Sequence, residues 1–124
     1  MNKKILVVDD DEDIVAIVSM VLEELGHEII SATSTEILLQ LDSIKPDVII
    51  LDNSIGGEYL GSQICKELKS NAKYKDIKVI LCSGVEDITL IAGDCKADSF
   101  LKKPFGLDEL ERVVSDLILA QKAV

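Results

Sequence analysis

Acidic side chains stand where apolar runs stop. Ile5-Leu6-Val7-Val8 runs into Asp9-Asp10-Asp11-Glu12-Asp13, Val48-Ile49-Ile50-Leu51 runs into Asp52, and Ser99-Phe100-Leu101 leads to Lys102-Lys103-Pro104. A carboxylate at the end of a buried apolar segment loses hydration, which is unfavourable unless something cationic meets it. Three carboxylates brought close together cannot all stay ionised without a counter-charge. A hard divalent cation supplies one. Mg2+, or Mn2+ in its place, takes oxygen ligands and keeps several waters, so one or two carboxylates and a carbonyl suffice to hold it. The remaining positions suit phosphoryl oxygens. Asp52 is then a candidate nucleophile that would form an aspartyl phosphate. The ammonium of Lys103 would spread the charge of the transferring group, and the Ser83 hydroxyl could donate to a phosphoryl oxygen.

Each piece alone has an ordinary explanation. An Asp after a strand is often a cap or turn residue. Ser83-Gly84 and Lys103-Pro104 read as turns, and acids at 11–13 suit the first turn of a helix, where the dipole favours them. The joint pattern carries the weight: two acids after one strand, an acid ending another, a small hydroxyl ending a third and Lys-Pro after a fourth.

The elements that must position these residues alternate along the chain. Strands are predicted at 4–9, 28–32, 47–52, 77–82 and 97–101. The spacing of Ile14, Ile17, Val18, Val21, Leu22 and Leu25 predicts a first helix stopped by Gly26. Ser34 is placed as the N-cap of a second helix through about Leu41, with Ile37, Leu38 and Leu41 facing inward. Further helices are predicted near 61–70, near 86–92 and over Leu107–Lys122. Near-continuous apolar strands separated by helices imply an α/β fold, a doubly wound (βα)5 arrangement with a five-stranded parallel sheet in the flavodoxin-like order 2-1-3-4-5. In that order strands one and three are neighbours at the switch point. Asp9, Asp10 and Asp52 then converge, with Ser83 and Lys103 arriving beside them.

The chain of 124 residues is long enough for one domain, 1–124, with a real core. Aromatics make up 3% of it and there is no Trp, so aliphatic side chains must fill that core. A formal charge of −10 argues against direct nucleic-acid binding, which needs a basic footprint. No apolar run approaches a membrane span, and the block of acids from Asp9 cuts off any signal-like start, so no membrane insertion and a cytoplasmic location are expected. Cys65, Cys82 and Cys95 are scattered and odd in number, which argues against a disulfide framework or a zinc site. Cys82 reads as a small core residue.

The chain resembles the receiver domains of bacterial two-component response regulators along essentially its whole length. The resemblance rests on Ile5-Leu6-Val7-Val8-Asp9-Asp10, Pro46-Asp47-Val48-Ile49-Ile50-Leu51-Asp52, Val79-Ile80-Leu81-Cys82-Ser83 and Ala97-Asp98-Ser99-Phe100-Leu101-Lys102-Lys103-Pro104-Phe105. It implies that Asp52 accepts a phosphoryl group from a sensor histidine kinase or a histidine phosphotransfer protein. It implies direct metal ligation by Asp10, Asp52 and the Ser54 carbonyl, with Asp9 acting through metal-bound water. Ser83 and Lys103 match the family's catalytic hydroxyl and lysine, and a cis Lys103–Pro104 bond is expected. Phe100 matches the aromatic switch position. Phosphate on Asp52 would draw in Ser83 and let Phe100 turn inward, altering a partner-binding surface. Without the resemblance, Phe100 reads as a core aromatic. The domain would catalyse only its own phosphoryl transfer and dephosphorylation, and would act on an unknown output protein.

Several positions depart from the family. Gly56, followed by Gly57, stands where a proline is usual and predicts a looser loop after Asp52. The segment between Ser83 and Lys103 is short, which predicts a fourth helix of about two turns. Val85 is apolar and Ser54 a weak water-orienting group, so the phosphoryl group is expected to hydrolyse slowly; a lifetime of seconds with Mg2+ and no partner would contradict this. The chain ends just after the fifth helix, so a module without its own output domain is expected, and Met1 with the apolar tail Ala120–Val124 favours a complete or N-terminal unit. Two other readings compete. Asp9-x-Asp11 superficially fits a haloacid-dehalogenase-like aspartate phosphatase, with Asp9 as nucleophile and Asp11 as acid/base, although Asp13 stands where Thr or Val is expected and no cap insertion is present. A receiver-like module that binds partners without phosphorylation is the third.

Overall fold

The computed structural model describes residues 2–58, 60–84 and 88–122, with side chains through Leu119. Five strands form one parallel sheet: β1 Lys4–Val8, β2 Glu28–Ala32, β3 Val48–Asp52, β4 Lys78–Ser83 and β5 Ser99–Lys102. Their order is β2-β1-β3-β4-β5, the order favoured from the sequence. Helices α1 (Glu12–Glu24), α2 (Leu41–Ile44), α3 (Gly61–Lys69), α4 (Ile88–Cys95) and α5 (Leu107–Lys122) cover both faces.

Successive strand residues point to opposite faces, and the core divides accordingly. Ile5, Val7, Ile50, Ile80, Cys82 and Leu101 pack with Val18 and Leu22 of α1 and Leu110, Val114 and Ile118 of α5. Leu6, Val8, Ile49, Leu51, Val79 and Leu81 pack on the other side with Cys65 and Leu68 of α3 and Ile88 and Cys95 of α4. Cys82 is therefore the core residue expected of it.

Local chemistry sets the helix ends. Asp11 caps α1: its Oδ1 accepts from the N–H groups of Asp13 at 2.9 Å and Ile14 at 3.3 Å. Gly26, at φ +96°, turns the chain out of α1 in the left-handed region. The second helix departs from expectation. Residues Thr35–Gln40 form a 3₁₀ helix, and only Leu41–Ile44 close an α-helical turn. Thr35, Leu38 and Leu41 are three residues apart, a spacing that a three-residue turn aligns on one face. Leu41 is buried, while Ile37 and Leu38 are half-buried against the core. The described part of the fourth helix is short, Ile88–Cys95, and ends three residues beyond the expected 92. Positions 86–87 and Val85 lie outside the described residues, as do the side chains of the apolar tail.

Candidate functional site

The parallel register brings the strand ends together. Val8 stands opposite Leu51, Asp52 opposite Cys82, and Ser83 opposite Lys102. The residues that follow each strand therefore meet at one edge of the sheet. The N–H of Asn53 donates to the Cys82 carbonyl at 2.7 Å, and that of Lys103 to the Ser83 carbonyl at 2.8 Å, extending the ladder to the site. The Lys103–Pro104 peptide is cis.

Asp9 and Asp52 are buried, at 4% and 5% exposure, whereas Asp10 is exposed. A ligand oxygen from each of the three lies within 4.8 Å of the others. The Lys103 ammonium reaches Asp9 Oδ2 at 2.8 Å and Asp52 Oδ1 at 3.2 Å. Lys102, one residue earlier in the extended strand, is exposed. Burial pushes the Asp52 carboxyl up to about 6; the Asp9 charge adds to this, and Lys103 opposes it. Burial alone would lower the Lys103 pKa, but its hydrogen bond to Asp9 and the charges of Asp52 and Asp9 outweigh that, and the net shift is upward. Lys103 is therefore a fixed cation at neutral pH.

Three carboxylates against one ammonium leave a local excess of two negative charges when all are ionised. The donors are all oxygen, and one of them opens to solvent. That set fits a hard divalent ion such as Mg2+, and Asp9, Asp10 and Asp52 are the side chains that would hold it. Ser54 is half-buried two residues beyond Asp52, at the start of the loop. Ser83 is buried, at 3% exposure. Phe100 is not a core aromatic: it is 38% exposed on β5 while its neighbour Leu101 is fully buried.

Two supports of the site escaped the sequence reading. Gly61 opens α3 directly beneath the end of β3, where a Cβ would lie 2.4 Å from the Asp52 carbonyl oxygen and 2.6 Å from Asn53 Cα. Asn53 is buried, and its Oδ1 accepts from the Ser62 N–H at 2.8 Å. A glycine at a predicted helix start was the available signal, but nothing local told which backbone it faced.

The sequence profile described as the response regulator receiver domain matches residues 5–115. The chain belongs to that family. This receiver domain is 33% identical over 119 residues to the alkaline phosphatase synthesis transcriptional regulatory protein PhoP of Bacillus subtilis, covering 95% of the chain and 49% of PhoP. It is 34% identical over 113 residues to the phosphate regulon transcriptional regulatory protein PhoB of Escherichia coli, covering 89% of the chain and 49% of PhoB. The chain thus spans about half the length of these curated relatives. Among solved structures, response regulator DrrB of Thermotoga maritima, an OmpR/PhoB homologue, superposes with a TM-score of 0.84 at 28% identity, covering 98% of this chain and 54% of DrrB. NtrX of Brucella abortus superposes at 0.86 with 30% identity, covering 99% of this chain and 28% of NtrX. The phosphatase reading gains no support. Asp11 is occupied in capping α1, and the carboxylate cluster is built from Asp9, Asp10 and Asp52. Among the described residues no helix is long and apolar enough to cross a membrane.

Proposed function

We propose that this receiver domain accepts a phosphoryl group on Asp52 from a phosphohistidine of a sensor histidine kinase or a histidine phosphotransfer protein, and thereby switches its surface toward an output partner. The Lys103 ammonium lodged between Asp9 and Asp52 at the open end of the sheet carries this reading. It places a permanent cation beside a buried carboxylate that faces two like charges. The Asp52 carboxylate attacks phosphorus, the P–O bond forms as the P–N bond breaks, and the electron pair stays with the imidazole of the donor. Lys103 holds Asp52 ionised and accepts part of the charge of the transferring group. Mg2+ or Mn2+, held by Asp10, Asp52 and the Ser54 carbonyl with Asp9 acting through metal-bound water, would supply further charge neutralisation. The Ser83 hydroxyl contacts the new phosphoryl group, and Phe100 moves inward from its exposed position. The work is that of a cytoplasmic signalling module: its catalysis is confined to its own phosphorylation and dephosphorylation.

Incubation with acetyl phosphate and Mg2+, followed by intact-mass measurement, tests the reading. One added phosphoryl group on the wild type and none on Asp52→Asn is expected. No mass gain on the wild type would leave a module that binds without phosphorylation. A gain that survives Asp52→Asn but not Asp9→Asn would restore the phosphatase chemistry.

A further inference from the structure

Gly56 stands where the family usually has a proline, and Gly57 follows it. The two glycines lie in a closed turn. Ile55 and Glu58 exchange backbone hydrogen bonds, at 2.9 Å from the Ile55 N–H and 3.3 Å from the Glu58 N–H. Ile55 is buried in the core and anchors the turn. Gly56 and Gly57 form its tip at φ +63° and +82°. Two successive positive φ values are those of a type I′ turn, which glycine adopts readily and proline cannot. The first tip residue does not use its N–H in closing such a turn. Here the Gly56 N–H donates to Asp10 Oδ2 at 2.9 Å, across 46 positions of sequence.

Asp10 needs such a partner. It is exposed, and its carboxylate lies near those of Asp9 and Asp52. Like charge drives it toward solvent, whereas Lys103 sits on the other two acids. We infer that Gly56 is a positioning residue: its N–H tethers Asp10 Oδ2 to the β3–α3 turn and so presents the remaining oxygen of that carboxylate to the divalent ion. The inference rests on the metal-assisted reading above. It assigns the glycine that replaces the usual proline a constructive role, since proline has neither the N–H nor the backbone angle.

The substitutions separate the N–H from the side chain. At Gly56 and Gly57 an added Cβ meets nothing within 4 Å, so backbone conformation alone limits replacement. Asn tolerates the left-handed region and keeps the N–H; Pro provides neither. A hydrogen bond to a charged group corresponds to roughly ten- to a hundredfold in binding, and exposure sets the expectation at about tenfold. Mg2+ affinity, measured by calorimetry on the unphosphorylated protein, should fall about tenfold in Gly56→Pro and stay within about twofold in Gly56→Asn. Equal loss in both variants, or no loss in Gly56→Pro, overturns the tether while leaving the metal site in place. No Mg2+ binding by the wild type overturns the metal reading itself. Amide hydrogen exchange on the wild type gives a second readout that does not depend on a folded proline variant. The Gly56 amide should be protected, and the protection should vanish in Asp10→Ala while the β3 amides are unchanged. An unprotected Gly56 amide in the wild type overturns the tether.

Discussion

At Asp52, burial and the neighbouring Asp9 charge outweigh Lys103 and leave the carboxyl at about 6, against an ordinary value of 3.8. The folded metal-free protein therefore binds a proton at this group over a pH range in which the unfolded chain has lost it. Stability must fall as pH rises from about 4 to about 6, and the penalty is fully present above that window. The Asp52→Asn variant lacks this penalty. In EDTA at pH 7 it should be more stable than the wild type by about 1–3 kcal/mol, and the difference should shrink toward pH 4. Urea unfolding at the two pH values checks this; a less stable Asn variant at pH 7 would show that the Lys103 pairing outweighs burial and the Asp9 repulsion. The residue proposed as the phosphoryl acceptor thus lowers the stability of the metal-free fold, as perturbed groups at functional sites commonly do.

Between elements, a second ion pair does structural work away from the site. The Lys69 ammonium at the end of α3 meets Asp98 Oδ2 at 2.6 Å and the Ile77 carbonyl at 2.8 Å, with the lysine side chain 10% exposed. Asp98 Oδ2 also accepts from the Val79 N–H at 2.8 Å. One carboxylate thereby joins α3, the start of β4 and the connection from α4 to β5. Removing one partner strands a largely buried ammonium. The Asp98→Ala variant should lose about 2–4 kcal/mol of stability, read from the urea midpoint. A change below about 0.5 kcal/mol would mean that the pair is effectively solvated. Asp98 lies in the segment that marks the family, yet its partner Lys69 is a helix residue of no visible distinction in the sequence. The second helix shows a similar limit. Ser34 accepts from the Glu36 N–H at 3.4 Å, as a cap should, but the segment that follows is 3₁₀ rather than α-helical.

For the molecule as a whole, the parallel sheet orients every strand the same way, so the acids at the ends of β1 and β3 and the lysine after β5 gather at one edge. Occupancy of that site by Mg2+ should stabilise the folded state alone. At about one hundred times the dissociation constant, linkage gives about 2.7 kcal/mol, or a rise in Tm of roughly 10 °C for a domain of this size. Thermal melting with and without Mg2+ measures it, and Asp10→Ala should abolish most of the shift. A melting temperature indifferent to Mg2+ in the wild type would remove the divalent ion from the mechanism.

The alternation of apolar runs and amphipathic stretches pointed to five parallel strands and favoured the order of the sheet, because the first follows from local periodicity and the second from the common doubly wound connections. It also placed Asp9, Asp10, Asp52, Ser83 and Lys103 at strand ends, and that placement needs no knowledge of side-chain contacts. The tertiary structure alone decided which backbone groups stand against them. Gly61 fits under the Asp52 carbonyl, Gly56 turns its N–H to Asp10, Lys69 finds Asp98, and Phe100 stays at the surface. These outcomes depend on pairs far apart in the chain: Gly56-Gly57 signals a turn locally, but which side chain its N–H meets is set only by the packing of distant elements.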